Sequence, residues 1–133
     1  MHINEVLSRS ISVGAPPSAV LSVIGDPERI PQWAPRFAAR VRPAARGRWT
    51  IGSGQEEFEI RVLASREAGT VDFLAPDEDR GLFARVVPSG EGSALVLTLV
   101  LAAGTPGELI ERQRAVLQEE LEGVRELLKE TSS

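Results

Sequence analysis

The chain opens on an alternating pattern. In INEVLSRSISV, residues 3–13, Leu7, Ile11 and Val13 share one parity, which predicts a β-strand. Arg9 shares that parity, so either Arg9 points inward or the strand carries an irregularity. Ala15-Pro16-Pro17 ends the strand, because proline cannot donate to a ladder and suits the first turn of a helix. Ser18–Ile24 then sets Val20, Leu21, Val23 and Ile24 on one side at helical spacing, closing near Gly25. Asp26-Pro27 restarts helical geometry, and Pro31 keeps this second element short and irregular, with Trp33 as its apolar anchor.

From residue 36 to residue 102 the period changes to two. FAARV places Phe37, Ala39 and Val41 on one strand face, and RWTI, residues 48–51, is followed by the turn Gly52-Ser53-Gly54. EEFEIRVLA sets Phe58, Ile60 and Val62 against Glu57, Glu59 and Arg61. TVDFLA and LFARVV follow, separated by the polar loop of residues 76–81. ALVLTLVLA is apolar on both parities except at Thr98, so it belongs in the most enclosed place. Short connections favour an antiparallel meander, with the first strand joining an edge of the later ones.

The last segment returns to the helical period. Thr105 fits an N-cap, Pro106 the first turn and Glu108 the third position of a capping box. Ile110, Leu117, Leu121, Val124 and Leu128 form a stripe, broadened by Leu109, Val116 and Leu127, while glutamates and arginines cover the other side. A helix over 106–129 is about 36 Å long, enough to lie across a whole sheet, with residues 131–133 fraying. The expected class is α+β, a curved antiparallel sheet around a long C-terminal helix with two short helices after the first strand, in one domain over 1–133.

Composition narrows the chemistry. With 133 residues and 42% hydrophobic, the chain can bury a proper core. It has no cysteine and no tyrosine, and its only histidine is His2. Disulfides, thiolate sites, histidine metal centres and Ser-His-Asp triads therefore lack their parts. No cofactor is expected, since no glycine-rich phosphate loop opens a helix. No apolar run spans a bilayer and the N-terminus lacks an export pattern, so the expected compartment is the cytoplasm, without stable membrane insertion. The net charge of -4 argues against a general nucleic-acid partner, although Arg36, Arg40, Arg42, Arg46 and Arg48 run together without an acid among them.

The segment ISVGAPPSAVLSVIGDPERIPQWAP, residues 11–35, resembles the opening of the START-like superfamily, also known as SRPBCC, helix-grip or birch-pollen-allergen-like. With the terminal helix, the resemblance covers essentially the whole chain. Its nearest character is that of small bacterial polyketide cyclase/dehydrase-like proteins. The resemblance implies a space between sheet and helix for lipids or other apolar or aromatic small molecules. It sets Val20, Ile24, Trp33, Phe37, Phe58, Phe73, Leu97, Leu99, Ile110, Leu117 and Leu121 near the core or that space.

Arg114 recurs with Ile110, Leu117 and Leu121 at helical spacing, which places a guanidinium beside the apolar face. Gln113 offers an amide at the opening of the groove. Candidate ligand-binding residues are thus Trp33, Phe37, Phe58, Phe73, Leu97, Leu99, Ile110, Gln113, Arg114 and Leu117. Gly123 interrupts the helix as a packing residue, permitting close passage, bending or neither. Asp72 and Arg85 lie on neighbouring strands and can pair, and Glu57 and Glu59 fall on the wet face. Three readings stay open: a carrier or sensor of an apolar or aromatic small molecule, a polyketide cyclase/dehydrase-like enzyme, and a protein-interaction or chaperone-associated domain using the arginine-bearing strands. Homodimerisation through an exposed sheet face or edge is a further candidate. Missing tyrosine and histidine weigh against the enzyme.

Overall fold

A computed structural model describes residues 3–76 and 80–132. The strands are β1 (Glu5–Val13), β2 (Arg40–Pro43), β3 (Arg48–Ser53), β4 (Glu56–Ser65), β5 (Thr70–Leu74), β6 (Gly81–Ser89) and β7 (Gly92–Leu101). The helices are α1 (Pro17–Ile24), α2 (Ile30–Trp33) and α3 (Gly107–Ser132), with a 3-10 turn at Pro27–Arg29. All strands form one antiparallel sheet in the order β1-β7-β6-β5-β4-β3-β2, wrapped around α3.

The long-range pairing of β1 with β7 puts the apolar β7 between two neighbours, and no residue of β7 is exposed. β1 runs in unbroken register, with Leu7 opposite Leu99 and Arg9 opposite Leu97. Arg9 therefore does point to the helix side, where Nη1 donates to Gln118 Oε1 at 3.3 Å. Its charged end stays in water while its stem follows the sheet. At the end of β1 the buried Ser93 hydroxyl of β7 donates to the Ala15 carbonyl at 2.7 Å, fixing the turn into α1.

α1 buries Val20, Leu21, Val23 and Ile24, as its spacing requires. The Asp26 side chain accepts from Glu28 N at 3.1 Å and caps the 3-10 turn. The expected strand at residues 37–41 is corrected at its start. Phe37 N and Ala38 N both donate to the Ala34 carbonyl at 3.0 Å, so residues 35–37 close a turn and β2 begins only at Arg40. The inward residue is consequently Ala38, fully buried, while Ala39 is exposed.

α3 differs from expectation at its cap. Leu109 N and Ile110 N donate to the Pro106 carbonyl, whereas the Thr105 hydroxyl donates back to Ala102 O at 2.6 Å. Thr105 thus closes the preceding turn and Pro106 precedes the helix. At the other end Thr131 and Ser132 belong to the last turn of α3, while Ser133 lies outside the described residues. The same holds for His2 and for Asp77, Glu78 and Asp79 of the expected polar loop. No described helix is long and apolar enough to cross a membrane.

Leu117, Leu121, Val124 and Leu128 of α3 are buried with Leu95 and Leu97 of β7, Val71 and Phe73 of β5, and Trp33 of α2. Gly123 is where α3 passes α2. A Cβ there would meet Trp33 O at 2.8 Å and Trp33 Cα at 3.1 Å, so the close passage is over α2 rather than a strand. Gly123→Ala should destabilise the fold by about 1–3 kcal/mol in urea denaturation, although alanine is the better helix former by roughly 0.5–1 kcal/mol. Gly107→Ala, where nothing lies within 4 Å, should be neutral or stabilising. Equal effects at the two positions would contradict this packing.

Candidate ligand-binding site

A cavity of about 390 Å³ opens between the sheet and the first half of α3. Its aromatic wall is Phe37, Phe58 and Phe73, supplied by the turn after α2, by β4 and by β5. Ring centroids lie 6.5 Å apart for Phe37–Phe58 and 6.3 Å for Phe37–Phe73, both edge-on, and Trp33–Phe73 at 5.9 Å ties this wall to the core. Ile60, Leu82 and Leu99 complete the apolar side. Phe58 stands opposite Ile51, on the sheet face that carries the core, yet 43% of it is exposed. An inward phenyl ring left in water marks a groove that the protein's own side chains do not fill.

Polar groups come from three places. Gln113 and Glu120 of α3 face the cavity on either side of the apolar Val116, Arg36 stands in the turn after α2, and Ser53 and Glu56 stand at the β3–β4 hairpin. A second cavity of about 250 Å³ lies between α2 and α3 and shares Arg36, Val116 and Glu120 with the first. Arg36 Nε pairs with Glu119 Oε2 at 2.9 Å in an exposed ion pair. Trp33 also lines the second cavity, and its indole N–H is buried without a hydrogen-bond partner.

Glu120, which the helical pattern assigns with the other glutamates to the polar side of α3, lies on the inward side. It is 5% exposed, the one charged residue in the buried set among those described. The spacing explains the placement: Glu120 follows Leu117 by one turn and precedes Val124 by another, with Gln113 two turns earlier on the same face. A carboxyl inside an otherwise apolar stripe is the available signal. Burial pushes its pKa from 4.5 up to about 7, and the neighbouring Glu119 charge adds to the rise. Among the described residues no hydrogen bond or ion pair holds it.

Of the ten residues proposed from sequence, Phe37, Phe58, Phe73, Leu99 and Gln113 line the larger cavity. Trp33, Leu97 and Leu117 are buried in the core, and Trp33 reaches the smaller cavity as well. Ile110 is half-buried against the core. Arg114 is half-buried outside both linings and pairs with Glu111 at 3.5 Å. Asp72 and Arg85 do pair, at 2.8 Å, but on the outer face, since Val71 and Phe73 take the inner one. On that outer face Arg42 is held by Glu57 at 3.1 Å, so part of the basic run is neutralised. Among the described residues no three His, Cys, Asp or Glu side chains group as a metal site.

No family model matches the chain, and no curated protein matches it. Solved structures do. A Thermus thermophilus protein of 18% identity superposes with TM-score 0.71, covering 97% of this chain and 100% of the other. A START superfamily protein from Mycobacterium smegmatis, 21% identical, superposes with TM-score 0.73 over 92% and 98%. The di-domain ARO/CYC protein BexL of the BE-7585A biosynthetic pathway, 22% identical, gives TM-score 0.71 over 94% of this chain, which spans 46% of BexL. The chain has the START-like helix-grip fold, as its opening segment and terminal helix imply.

The burial of Glu120 has a pH consequence. Between 4.5 and about 7 the folded chain binds more protons than the unfolded one, so stability falls as pH rises through that window and stays lower above it. Glu120→Gln should abolish this loss, leaving the variant more stable than the parent at pH 8 by up to about 3 kcal/mol, with little difference near pH 4. Urea denaturation at both pH values checks it; a difference independent of pH would contradict the buried, ionisable assignment.

Proposed function

We propose that the chain binds an apolar or aromatic small molecule in the cavity between sheet and α3. The observation that carries this reading is the 390 Å³ space with an exposed, inward-facing Phe58 at its wall. Its volume lies within the range of about 300–1,000 Å³ usual for small-molecule sites, and its lining combines many apolar groups with few polar ones. Phe37, Phe58, Phe73 and Leu99 would enclose the ligand, with Gln113 and Glu120 as orienting groups. Trp33, Leu97 and Leu117 support that wall from the core, while on α3 Ile110 stands one turn before Gln113 and Arg114 one residue after it.

A cyclase-like reaction is the second reading, and Glu120 favours it specifically. A carboxyl titrating near neutrality is matched to general acid–base work, and BexL shares the fold. The two readings part on the fate of the ligand: a carrier returns it unchanged, whereas an enzyme transforms it.

Native mass spectrometry of freshly purified protein should show a one-to-one adduct, or accept one from added 2-(naphthalen-2-yl)ethanol. Filling the space with Val116→Trp should weaken that binding at least tenfold while near-UV circular dichroism shows a retained fold. Undiminished binding in the folded variant would place the ligand elsewhere.

A further inference from the structure

We infer that the cavity is built for an aromatic or apolar ligand carrying a protonated amine, with Glu120 as its counter-ion; this rests on the binding role proposed for the cavity. Charge balance around the carboxyl points there first. The groups facing Glu120 across both cavities are Arg36, Glu56 and Glu119, and the cation among them is already paired with Glu119. α1 contributes no charged residue, and the lining positions of β5, β6 and β7 are apolar or glycine. Around Glu120 two carboxylates thus meet one engaged arginine, so the charge of these neighbours is net negative. The upward pKa shift of Glu120 comes from burial first and the Glu119 charge second, and no protein donor relieves it.

An anionic ligand would add to that negative charge. A neutral ligand would leave the carboxyl as it is. An ammonium group supplies the missing positive charge in a poorly solvated place, where a hydrogen-bonded ion pair is worth more than on the surface. The surrounding rings suit the same cation. Phe37, Phe58 and Phe73 line the same cavity as the carboxyl, and a cation over the face of such a ring is stabilised further. Gln113 lies two turns from Glu120, about 10 Å along α3, and its carbonyl can accept from a second polar group at the other end of an extended ligand.

The test uses two probes of equal shape, 2-(naphthalen-2-yl)ethylamine and 2-(naphthalen-2-yl)ethanol, titrated calorimetrically. At pH 8 the amine should bind at least tenfold tighter than the alcohol. In Glu120→Gln that preference should fall to within about twofold. The parent protein supplies a test that needs no variant. At pH 6.5 amine binding should release roughly half to three-quarters of a proton, read from buffers of different ionisation enthalpy, and amine affinity should rise from pH 5 to pH 8 while alcohol affinity stays flat. Equal affinities for the two probes, or an amine preference surviving in Glu120→Gln, would overturn the amine assignment and leave the binding role standing. Failure of both probes to bind would overturn the binding role and the amine assignment together.

Discussion

One helix has to cover the inner face of seven strands. At about 4.8 Å between neighbours such a sheet is nearly 30 Å across, whereas a helix with its side chains is about 10–12 Å wide. α3 meets this constraint unevenly. Its later half presents Leu117, Leu121, Val124 and Leu128, all buried, and is joined there by α1, α2 and Trp33. Its earlier half presents Ile110, Gln113 and Val116, only half-buried. Where α1 and α2 add cover the space is core, and where α3 stands with less help the space stays open. Core and cavity are two ends of the same interface.

The close approach of α3 to α2 at Gly123 matters for this division. It brings the Trp33 backbone against the helix and places the Trp33–Phe73 ring pair between the packed end and the open end. The aromatic wall is therefore anchored on its core side and free on the other, which is why Phe73 is 1% exposed and Phe58 43%.

Much of this is legible in the residues. Period-2 runs mark the strands, the Asp26-Pro27 restart marks the second short helix, and the terminal stripe marks α3, because each rests on local geometry. What fails locally depends on competing hydrogen bonds. The Ala34 carbonyl takes Phe37 N and Ala38 N and delays β2, and Thr105 turns its hydroxyl back to Ala102. The site is half legible. Phe58 and Phe73 lie on inward faces that the strand pattern predicts, Phe37 and Leu99 follow from the family resemblance and Gln113 from its place at the groove opening, and all five line the cavity. Glu120 escapes notice because a glutamate on a helix is ordinarily solvated, and only its place between Leu117 and Val124 signals otherwise. Arg36 sits in a turn, where periodicity carries no information about facing, whereas Glu56 opens β4 in the parity of Phe58 and Ile60, so its inward placement is open to the strand pattern.

Glu120 also opposes folding, since a carboxyl taken from water without a partner loses its hydration. Its burial beside an unfilled aromatic groove ties stability to ligand chemistry at one position. The central claim, that this groove takes a small molecule, is most directly tested by a heteronuclear NMR titration with 2-(naphthalen-2-yl)ethanol. Shifts should concentrate at Phe58, Leu82, Leu99 and Gln113, with the outer-face pair Asp72 and Arg85 unmoved. Shifts centred on that outer face, or none anywhere at saturating probe, would contradict the claim.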